Sequence, residues 1–458
     1  MDGLLNIEEN FDVCRRDMTV CGKKCAVYFV DGLTADDVLQ RVLDTFLRLT
    51  EFRPSSFSGL KSFADALVSF AETSEIETYE DAVTAVLSGI CVMFVDGVSG
   101  ALGIDCRSYP KRALTEPEND KVLRGSRVGL VETLVFNTAL IRRHIRDPRF
   151  TAAHFRVGGS SRTDVAVCYI KGKADEKYVR EIENKIISVK TDALIMGAQS
   201  LAECIMPKLR FNPFPKIRFT ERPDCCAAHL LEGKVIVLTD TSPAAMILPS
   251  SIFDFIQESD DFYLPPLIGS YLRFIRCTVF FLTFILSPLW YLLISYPDMI
   301  PPWLSFIKVS EPSEMPIIFQ LFLLEFAVDG LKLAALNTPS MLSGSFSIIG
   351  GLILGDFAVR VGWFVPDTIF YMAFVAIANF SQPSYELGYA FKLLRLIMLL
   401  LTGLFKLWGF IAGLLLFFIL IATNRTVGGK SYLYPLIPFD KKAMLSLIYR
   451  HPKHTDKT

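Results

Sequence analysis

The long apolar runs of this 458-residue chain are concentrated in residues 266–424, whereas residues 1–265 carry most of the charged side chains. The run at 277–296 is long enough to cross the hydrocarbon core of a bilayer. Hydrophobic residues make up 51% of the chain, slightly more than is usual in a soluble protein. This division predicts a fold class in two parts: an α/β cytosolic region, followed by an α-helical polytopic membrane domain.

Charge and cysteine usage exclude several classes of function. The formal net charge is −1, so the chain lacks the basic surplus of a nucleic-acid-binding protein. The N-terminal sequence has no basic segment followed by an apolar one, so we expect no signal peptide and a cytosolic first half. The ten cysteines follow no disulfide spacing, and Cys14, Cys21 and Cys25 have no fourth ligand nearby. We therefore expect reduced core cysteines, no metal site and no cofactor.

A weak internal repeat organises the first half. A strand, a helix and a hairpin are predicted at 25–32, 34–49 and 89–105, with Thr34 as the cap of the helix. The same three patterns recur at 165–172, 174–188 and 233–249. Within the hairpins, Gly89, Asp96 and Ala101 match Gly233, Asp240 and Ala245 at a constant offset of 144. We interpret this as two similar α/β subdomains joined by a basic helix at 124–146.

These patterns divide the chain into four parts. They are two cytosolic subdomains, a helical membrane domain and a cytoplasmic tail, at 1–150, 151–265, 266–424 and 425–458. Basic residues precede the first membrane helix and recur in the tail, so the positive-inside rule places both ends in the cytoplasm. We therefore expect an even number of crossings, between four and six, and a break in the last apolar run near Lys406.

Signals for catalysis are poor. The segments GGSS (158–161) and VGGKS (427–431) are rich in glycine, but neither has the preceding strand and spacing of a phosphate-binding loop. Glu221, Arg222 and Asp224 cluster in a predicted loop. A salt-bridged turn at a subdomain or subunit contact is favoured over a catalytic dyad, because no nucleophile or metal set accompanies it. We expect no enzyme.

Several charged residues lie in or beside the apolar runs. Glu325, Asp329 and Lys332 share one face of a predicted helix, and Asp356 and Arg360 follow. Charges at such depth are costly, so they pair internally, face water, or mark a helix that lies at the membrane interface. Two interpretations stay open: Glu325 and Asp329 attract cations at a pore, or they pair with Arg360 and Lys332. Lys392 and Arg395 are expected at the cytoplasmic edge.

Small residues mark the stretch at 343–356. They would give a narrow, weakly polar helix face suited to lining a pore, although such spacing more often serves the close packing of helices. The candidates for lining or gating are Ser345, Ser347, Gly350, Gly351 and Gly355.

Several motifs resemble those of one known family. They are EPEND (116–120), FNPFPKIRFTERPD (211–224), GGLILG (350–355) and SQPSYELGYAFKLLRL (381–396). Over nearly its whole length the chain resembles the A subunits of GerA-type spore germination receptors. The segments at 288–307, 334–343 and 432–444 are most similar to the SpoVAF branch. At GGSSRTDV (158–165) the chain departs from the more basic turn usual in the family.

The resemblance implies a function that composition does not reveal. Such A subunits are multi-pass proteins of the inner membrane of bacterial spores, and they are thought to assemble, as pentamers, into ion channels. Partners would be further copies of the chain, other membrane germination proteins and the lipid bilayer. The alternatives are a membrane scaffold that conducts no ions, and a transporter.

Overall fold

The computed structural model describes residues 1–49, 64, 68, 71–108, 125–206, 211–258, 260–309, 314–337 and 358–449. The chain forms two compact units, which we call the sheet unit and the helical unit. The sheet unit comprises Met1–Pro207, Ile217–Ser250 and Thr426–Lys430. The helical unit comprises Lys208–Lys216, Ser251–Arg425 and Ser431–Thr458.

The first half of the sheet unit is an antiparallel sheet of five strands in the order β1-β2-β4-β5-β3. The strands are β1 (Val13–Val20), β2 (Lys23–Val30), β3 (Thr73–Ile76), β4 (Cys91–Val95) and β5 (Ala101–Ile104). Its helices are α1 (Asp2–Leu5), α2 (Asp36–Leu47) and α3 (Tyr79–Leu87). Alternate strand residues face opposite sides, so α2 packs with Val27 and Met93 on one face and α3 with Tyr28 and Val92 on the other.

The second half repeats this plan in the order β6-β7-β9-β10-β8. The strands are β6 (Phe150–Val157), β7 (Thr163–Ile170), β8 (Arg218–Thr220), β9 (Val235–Thr239) and β10 (Ala245–Leu248). The helices are α4 (Leu134–His144), α5 (Glu176–Ile187), α6 (Ala198–Ile205) and α7 (Pro223–Leu231). The two sheets share one strand order, and the predicted pair of similar α/β subdomains is therefore confirmed.

Two local predictions in this unit were wrong. The basic helix α4 is shorter than 124–146 and begins after Thr133, because Leu130 N–H bonds Glu221 O and Val131 N–H bonds Asn137 Oδ1 instead of continuing a helix. Thr34 does not cap α2; its hydroxyl donates to Val30 O, and Ala35 occupies the cap position.

Helix α4 joins the two subdomains through a buried ion pair. Arg142 donates from Nε and Nη2 to the carboxylate of Asp12, with both distances 2.8 Å. Asn10 Oδ1 accepts from Ala152 N–H of β6 at 2.8 Å. Arg142 and Asp12 are fully buried, so neither charge has water to replace its partner.

Among its described residues, the helical unit contains four longer helices: α9 (Pro266–Ile294), α10 (Ile317–Asn337), α12 (Pro366–Phe380) and α13 (Tyr385–Thr423). Short helices are α8 (Asp260–Tyr263), α11 (Ala358–Arg360) and α14 (Lys441–Ile448). Within the described residues, α9 and α13 are long and apolar enough to cross a membrane. Together with the two sheets, this confirms the predicted fold class.

Helix α13 is a hairpin of two antiparallel arms, 385–405 and 407–423. Lys406 has φ 53° and ψ −123°, which no α-helix accommodates. The rings of Phe391 and Phe417 lie 5.3 Å apart, whereas 26 residues of straight helix would separate them by about 39 Å. Gly409 packs so closely on Leu401 that a Cβ would lie 1.8 Å from its carbonyl oxygen. The predicted break is confirmed at Lys406.

The hairpin gives the helical unit two distinct ends. At the entry end, Ile252 and Phe255, just before α9, share one cluster with Ile421 and Tyr432. Residues 211–216 also belong here: Asn212 Nδ2 donates to Leu420 O at 2.8 Å, and Phe214 packs among aromatic rings. At the opposite, turn end, Lys406 Nζ lies 5.5 Å from the ring centroid of Tyr296.

Helices α10 and α12 both run from the turn end to the entry end. Near their starts, Gln320 Oε1 accepts from Val365 N–H at 3.1 Å and from the Thr368 hydroxyl at 3.0 Å. Near their ends, Lys332 lies over the rings of Phe380 and Tyr385.

Candidate functional site

Four charged side chains meet in the interior of the helical unit, and we call them the charged cluster. They are Glu325 and Asp329 of α10 and Lys392 and Arg395 of the first arm of α13. The spacings of four and three residues place each pair on one helix face, so two facing helices can join all four. The cluster lies well inside both helices, away from their ends.

Arg395 is the most completely satisfied member. Its Nε and Nη2 donate to Glu325 Oε1 at 2.7 and 2.6 Å. Its Nη1 donates to Thr283 O of α9 at 2.8 Å. Pro288 of α9 lacks the N–H that would bond Phe284 O, the carbonyl next to that of Thr283. Arg395 thereby ties three helices together.

Lys392 is shared between the two carboxylates. Its Nζ lies 3.1 Å from Glu325 Oε2 and 2.5 Å from Asp329 Oδ1, and it also donates to Glu325 O at 3.2 Å. Two negative and two positive groups balance the charge. Glu325, Lys392 and Arg395 are buried, whereas the Asp329 side chain is 32% exposed. Asp329 is therefore the member of the cluster that is accessible from outside the helical unit.

Polar amides extend the cluster toward the entry end. A cavity of about 10 Å³, enough for one water molecule, is lined by Glu325, Asn379, Lys392 and Arg395 with apolar side chains. Asn379 Oδ1 and both polar atoms of Gln382 are buried without a hydrogen-bond partner among the described residues. Gly388 gives these amides room, since a Cβ there would lie 2.6 Å from Gln382 Oε1.

The structure brings together two predicted residues and separates a third. Glu325 and Asp329 are in the cluster, but their partners are Lys392 and Arg395, not Lys332 and Arg360 as one interpretation had it. The ammonium of Lys332 lies 4.5–5.6 Å from the ring centroids of Phe380, Tyr385 and Tyr389.

The sequence also singled out other residues of the helices. Arg360 closes the short helix α11. Lys392 and Arg395 are buried beside carboxylates, which provide partners that lipid cannot, and their place at the cytoplasmic edge stays a prediction. The remaining candidates, Ser345, Ser347, Gly350, Gly351, Gly355 and Asp356, lie outside the described residues.

The predicted salt-bridged turn at 220–224 is present. The buried Arg222 guanidinium donates to both oxygens of Asp224, at 3.0 and 2.6 Å, directly before α7. Glu221 contributes its carbonyl, which accepts from Leu130 N–H at 2.7 Å. The turn therefore holds the segment before α4 against the start of α7, and its place at a subunit contact stays a prediction.

Both glycine-rich segments have structural partners. At the β6–β7 turn, Ser160 N–H donates to Asp192 O and its hydroxyl donates to Asp192 Oδ1. In the second segment, Tyr178 donates to Val427 O at 2.7 Å, and Lys430 Nζ lies 3.1 Å from Asp175 Oδ2. The hydrogen bond from Lys430 lowers the pKa of Asp175, and burial raises the pKa of Tyr178. Thr426–Lys430 is thus an integral part of the sheet unit.

Sequence reasoning missed the charged cluster as a unit. The sequence signal was available, because Lys392 and Arg395 interrupt an apolar run with helical spacing, as Glu325 and Asp329 do. What sequence did not reveal is that the two faces meet. Among the described residues, no group of three or more His, Cys, Asp or Glu side chains is arranged to hold a metal ion.

The fold and the cluster first define a class: a protein with a unit of two antiparallel sheets and a helical unit suited to a membrane. The model of the Bacillus/Clostridium GerA spore germination protein family matches residues 5–458. The chain therefore belongs to the GerA family of spore germination proteins, as its motifs indicated.

Individual relatives agree with this assignment. The chain is 35% identical to stage V sporulation protein AF of Bacillus subtilis, covering 97% of this chain and 90% of that protein. It is 30% identical to spore germination protein GerLA of Bacillus cereus, covering 96% and 90%. The N-terminal domain of the A subunit of the Bacillus megaterium spore germinant receptor GerK3 is 21% identical, with a TM-score of 0.40, covering 54% of this chain and 90% of that structure.

Proposed function

We propose that this protein is a multi-pass subunit of an oligomeric ion channel in the spore inner membrane, and that it triggers or amplifies germination. The charged cluster carries the proposal: lipid does not tolerate Glu325, Lys392 and Arg395, so the helices around them must form a bundle with a polar interior. A simple anchor needs no such interior. On this proposal the protein is not an enzyme and needs no cofactor or nucleic acid.

The course of the chain supports several crossings. The start of α9 and the end of α13 share the entry end, as expected if both chain ends face the cytoplasm, the spore-core side. Asn337 ends α10 toward the entry end, whereas Phe364 packs with Trp290 and Leu321 toward the turn end. The chain thus leaves the described structure near one end and re-enters it at the other. The stretch that contains 343–356, which lies outside the described residues, connects these two points.

On this proposal several copies, five as in the family expectation, each contribute the stretch 343–356 to the pore. Asp329 lies at the edge of the cluster. If the Lys392 ammonium moved from Asp329 toward Glu325, the negative charge of Asp329 at this edge would lose its partner. Gating would then be a repacking of α10 against the first arm of α13.

Ion flux through reconstituted protein tests the proposal. We expect Gly351→Leu or Ser347→Phe to reduce the flux at least tenfold by narrowing the path. Glu325→Gln should change its rate by weakening the bond to Arg395. Gly330→Ala is the matched control, because a Cβ at this exposed position meets nothing within 4 Å. Flux that is absent under all conditions, or equal in all variants, would refute the channel.

A membrane scaffold for other germination proteins is the second candidate. One observation favours it: both acidic members of the cluster have cationic partners, as a purely structural interior requires. The oligomeric state in detergent separates the two functions. A stable monomer that still binds other germination proteins supports the scaffold and excludes a pore shared between copies.

A further inference from the structure

The end of the helical unit beyond α13 carries an unexpected apolar surface. Residues 432–440 are folded back on themselves: Leu436 N–H and Ile437 N–H both bond Leu433 O, and Asp440 N–H bonds Pro435 O. Asp440 then caps α14 by accepting from two backbone N–H groups. Yet this ordered segment exposes Tyr434, Leu436, Ile437 and Phe439, of which Ile437 is 56% and Phe439 69% exposed. We call these four residues the tail patch.

The position of the tail patch is fixed by contacts within the helical unit. Tyr432 is buried in the entry-end cluster, directly before the patch. After it, Leu447 O of α14 accepts from Arg273 Nη1 of α9 at 3.2 Å. The segment between these two attachments therefore lies beside the beginning of α9.

The beginning of α9 exposes apolar side chains and buries charged ones, as a surface in contact with lipid does. Leu267, Tyr271 and Phe274 are exposed, whereas Arg273 is buried and bonds the fully buried Asp261. In water the opposite arrangement would be stable, because apolar side chains would turn inward and arginines outward. At 29 residues, α9 measures about 44 Å and exceeds a hydrocarbon core of about 30 Å. The helix is therefore long enough for its first two turns to extend into the headgroup region.

Charge complements this apolar surface. Lys441 and Lys442 are exposed at the start of α14, and Asp440, whose carboxylate caps that helix, separates them from the tail patch. Exposed apolar side chains next to lysines are the arrangement by which segments bind the surface of an anionic bilayer. The surface is also continuous with the exposed apolar face of a candidate membrane helix.

We propose that residues 434–442 lie in the membrane interface at the entry end, with the tail patch among the acyl chains and the two lysines on anionic phospholipid headgroups. The sequence alone indicated a cytoplasmic tail here. This inference rests on the proposed membrane function, and it adds a lipid-dependent contact. The tail would sense the charge of the bilayer surface at the point where the chain leaves α13.

The test uses the full chain in vesicles with lipids that carry a fluorescence quencher in the upper acyl region. A small fluorescent amino acid replaces Ile437 in one protein, Phe281 in a second and Ile195 in a third. Phe281 is an exposed residue of α9 and reports membrane insertion; Ile195 is an exposed apolar residue of the sheet unit and is the matched control. We expect quenching at 437 and 281 and none at 195.

A second measurement tests the lysines. In anionic phosphatidylglycerol vesicles, Lys441→Gln with Lys442→Gln should lower the bound-to-free ratio of the tail roughly tenfold at low salt, and have little effect in zwitterionic vesicles. Both substitutions are at exposed positions, so the fold is retained.

The outcomes are distinct. If position 281 is not quenched, the helical unit does not insert and the proposed membrane function fails. If 281 is quenched but 437 stays open to aqueous iodide, the tail lies in water and only this inference fails. If 437 is shielded from both iodide and lipid quencher, a protein surface such as a second copy covers it, and the lipid proposal is overturned.

Discussion

At the scale of single residues, the charged cluster decides how the helical unit is held together. Glu325 bonds Arg395 through two nitrogens and Lys392 through a third, away from bulk water. A buried ion pair adds little net stability relative to apolar side chains of equal volume, but losing one partner leaves a charge with no solvation. The cluster therefore acts mainly by specifying which faces of α10 and α13 meet.

Arg395→Met tests this account. The substitution removes the guanidinium but keeps its volume, so Glu325 loses its principal partner and the folded state should lose about 3–5 kcal/mol. Adding Glu325→Gln removes the uncompensated charge and should restore most of the stability. Thermal unfolding of the detergent-solubilised variants measures both effects. Equal midpoints for the single and double variants would show that the pair is not buried as described.

Sequence reasoning predicted half of this cluster, for a physical reason. Helical periodicity places Glu325 and Asp329 on one face, because that relation is local. Their partners are distant in the sequence: Lys392 is 67 residues and Arg395 is 70 residues from Glu325. Only the packing of the helices brings them together. The same limit applies to Arg142 and Asp12, which are 130 residues apart.

At the scale of elements, glycines determine where helices approach. Gly409 and Gly413 of the second α13 arm face Leu401 and Met398 of the first, and added Cβ atoms would lie 1.8 and 2.5 Å from the nearest atoms. Close approach at small residues is the usual way in which helices pack inside a membrane. The sequence placed a break here correctly, but only the contacts show that the chain reverses.

Gly409→Val should open this hairpin. Its side chain meets the Leu401 carbonyl, a backbone atom that cannot move aside, so we expect a loss of about 3 kcal/mol or more. Gly330→Ala, in the open surface of α10, should stay within about 1 kcal/mol of the parent. Thermal unfolding in detergent compares the two. A Gly409→Val protein as stable as the Gly330→Ala protein would contradict the antiparallel arrangement.

A second pair of glycines tests the segment Thr426–Lys430 of the sheet unit. Gly428 and Gly429 both have positive φ, 84° and 72°, so alanine strains the backbone at either position by about 1–2 kcal/mol. Only at Gly428 would the new Cβ also strike the Tyr178 ring, at 2.3 Å.

We therefore expect Gly428→Ala to lower the unfolding midpoint further than Gly429→Ala, and to expose the segment to limited proteolysis. The comparison cancels the backbone strain common to both variants. If the two alanine variants behave alike, the contact with Tyr178 does not contribute to stability.

At the scale of the whole molecule, the sequence predicted the architecture better than it predicted where single helices begin and end. The constant offset of 144 between two hairpins corresponds to two sheets with the same strand order. Strand alternation and turn glycines carry that information locally. The start of α4 was misplaced, because the residues before it bond Glu221 and Asn137 instead of forming the first turns of a helix.

The course of the helices predicts on which side of the membrane the hairpin turn lies, and on which side the chain continues after α13. If the helical unit crosses the bilayer, Lys406 at the turn end and Lys430 beyond the second arm must lie on opposite sides of the membrane. The reason is that the 407–423 arm, which lies between them in the chain, then crosses the membrane once. That arm has 17 residues and measures about 26 Å, close to the thickness of the hydrocarbon core.

Labelling with a membrane-impermeant, mass-tagged maleimide measures this arrangement. In intact cells that express the protein, Lys406→Cys should gain one mass shift relative to the parent, which corrects for the native cysteines, whereas Lys430→Cys should gain it only after permeabilisation. Tyr296→Cys is a second reporter of the turn end, since the Tyr296 ring lies against Lys406, and it should behave like Lys406→Cys. Labelling of Lys406→Cys and Lys430→Cys from the same side would mean that the 407–423 arm does not cross the membrane, and would contradict this arrangement.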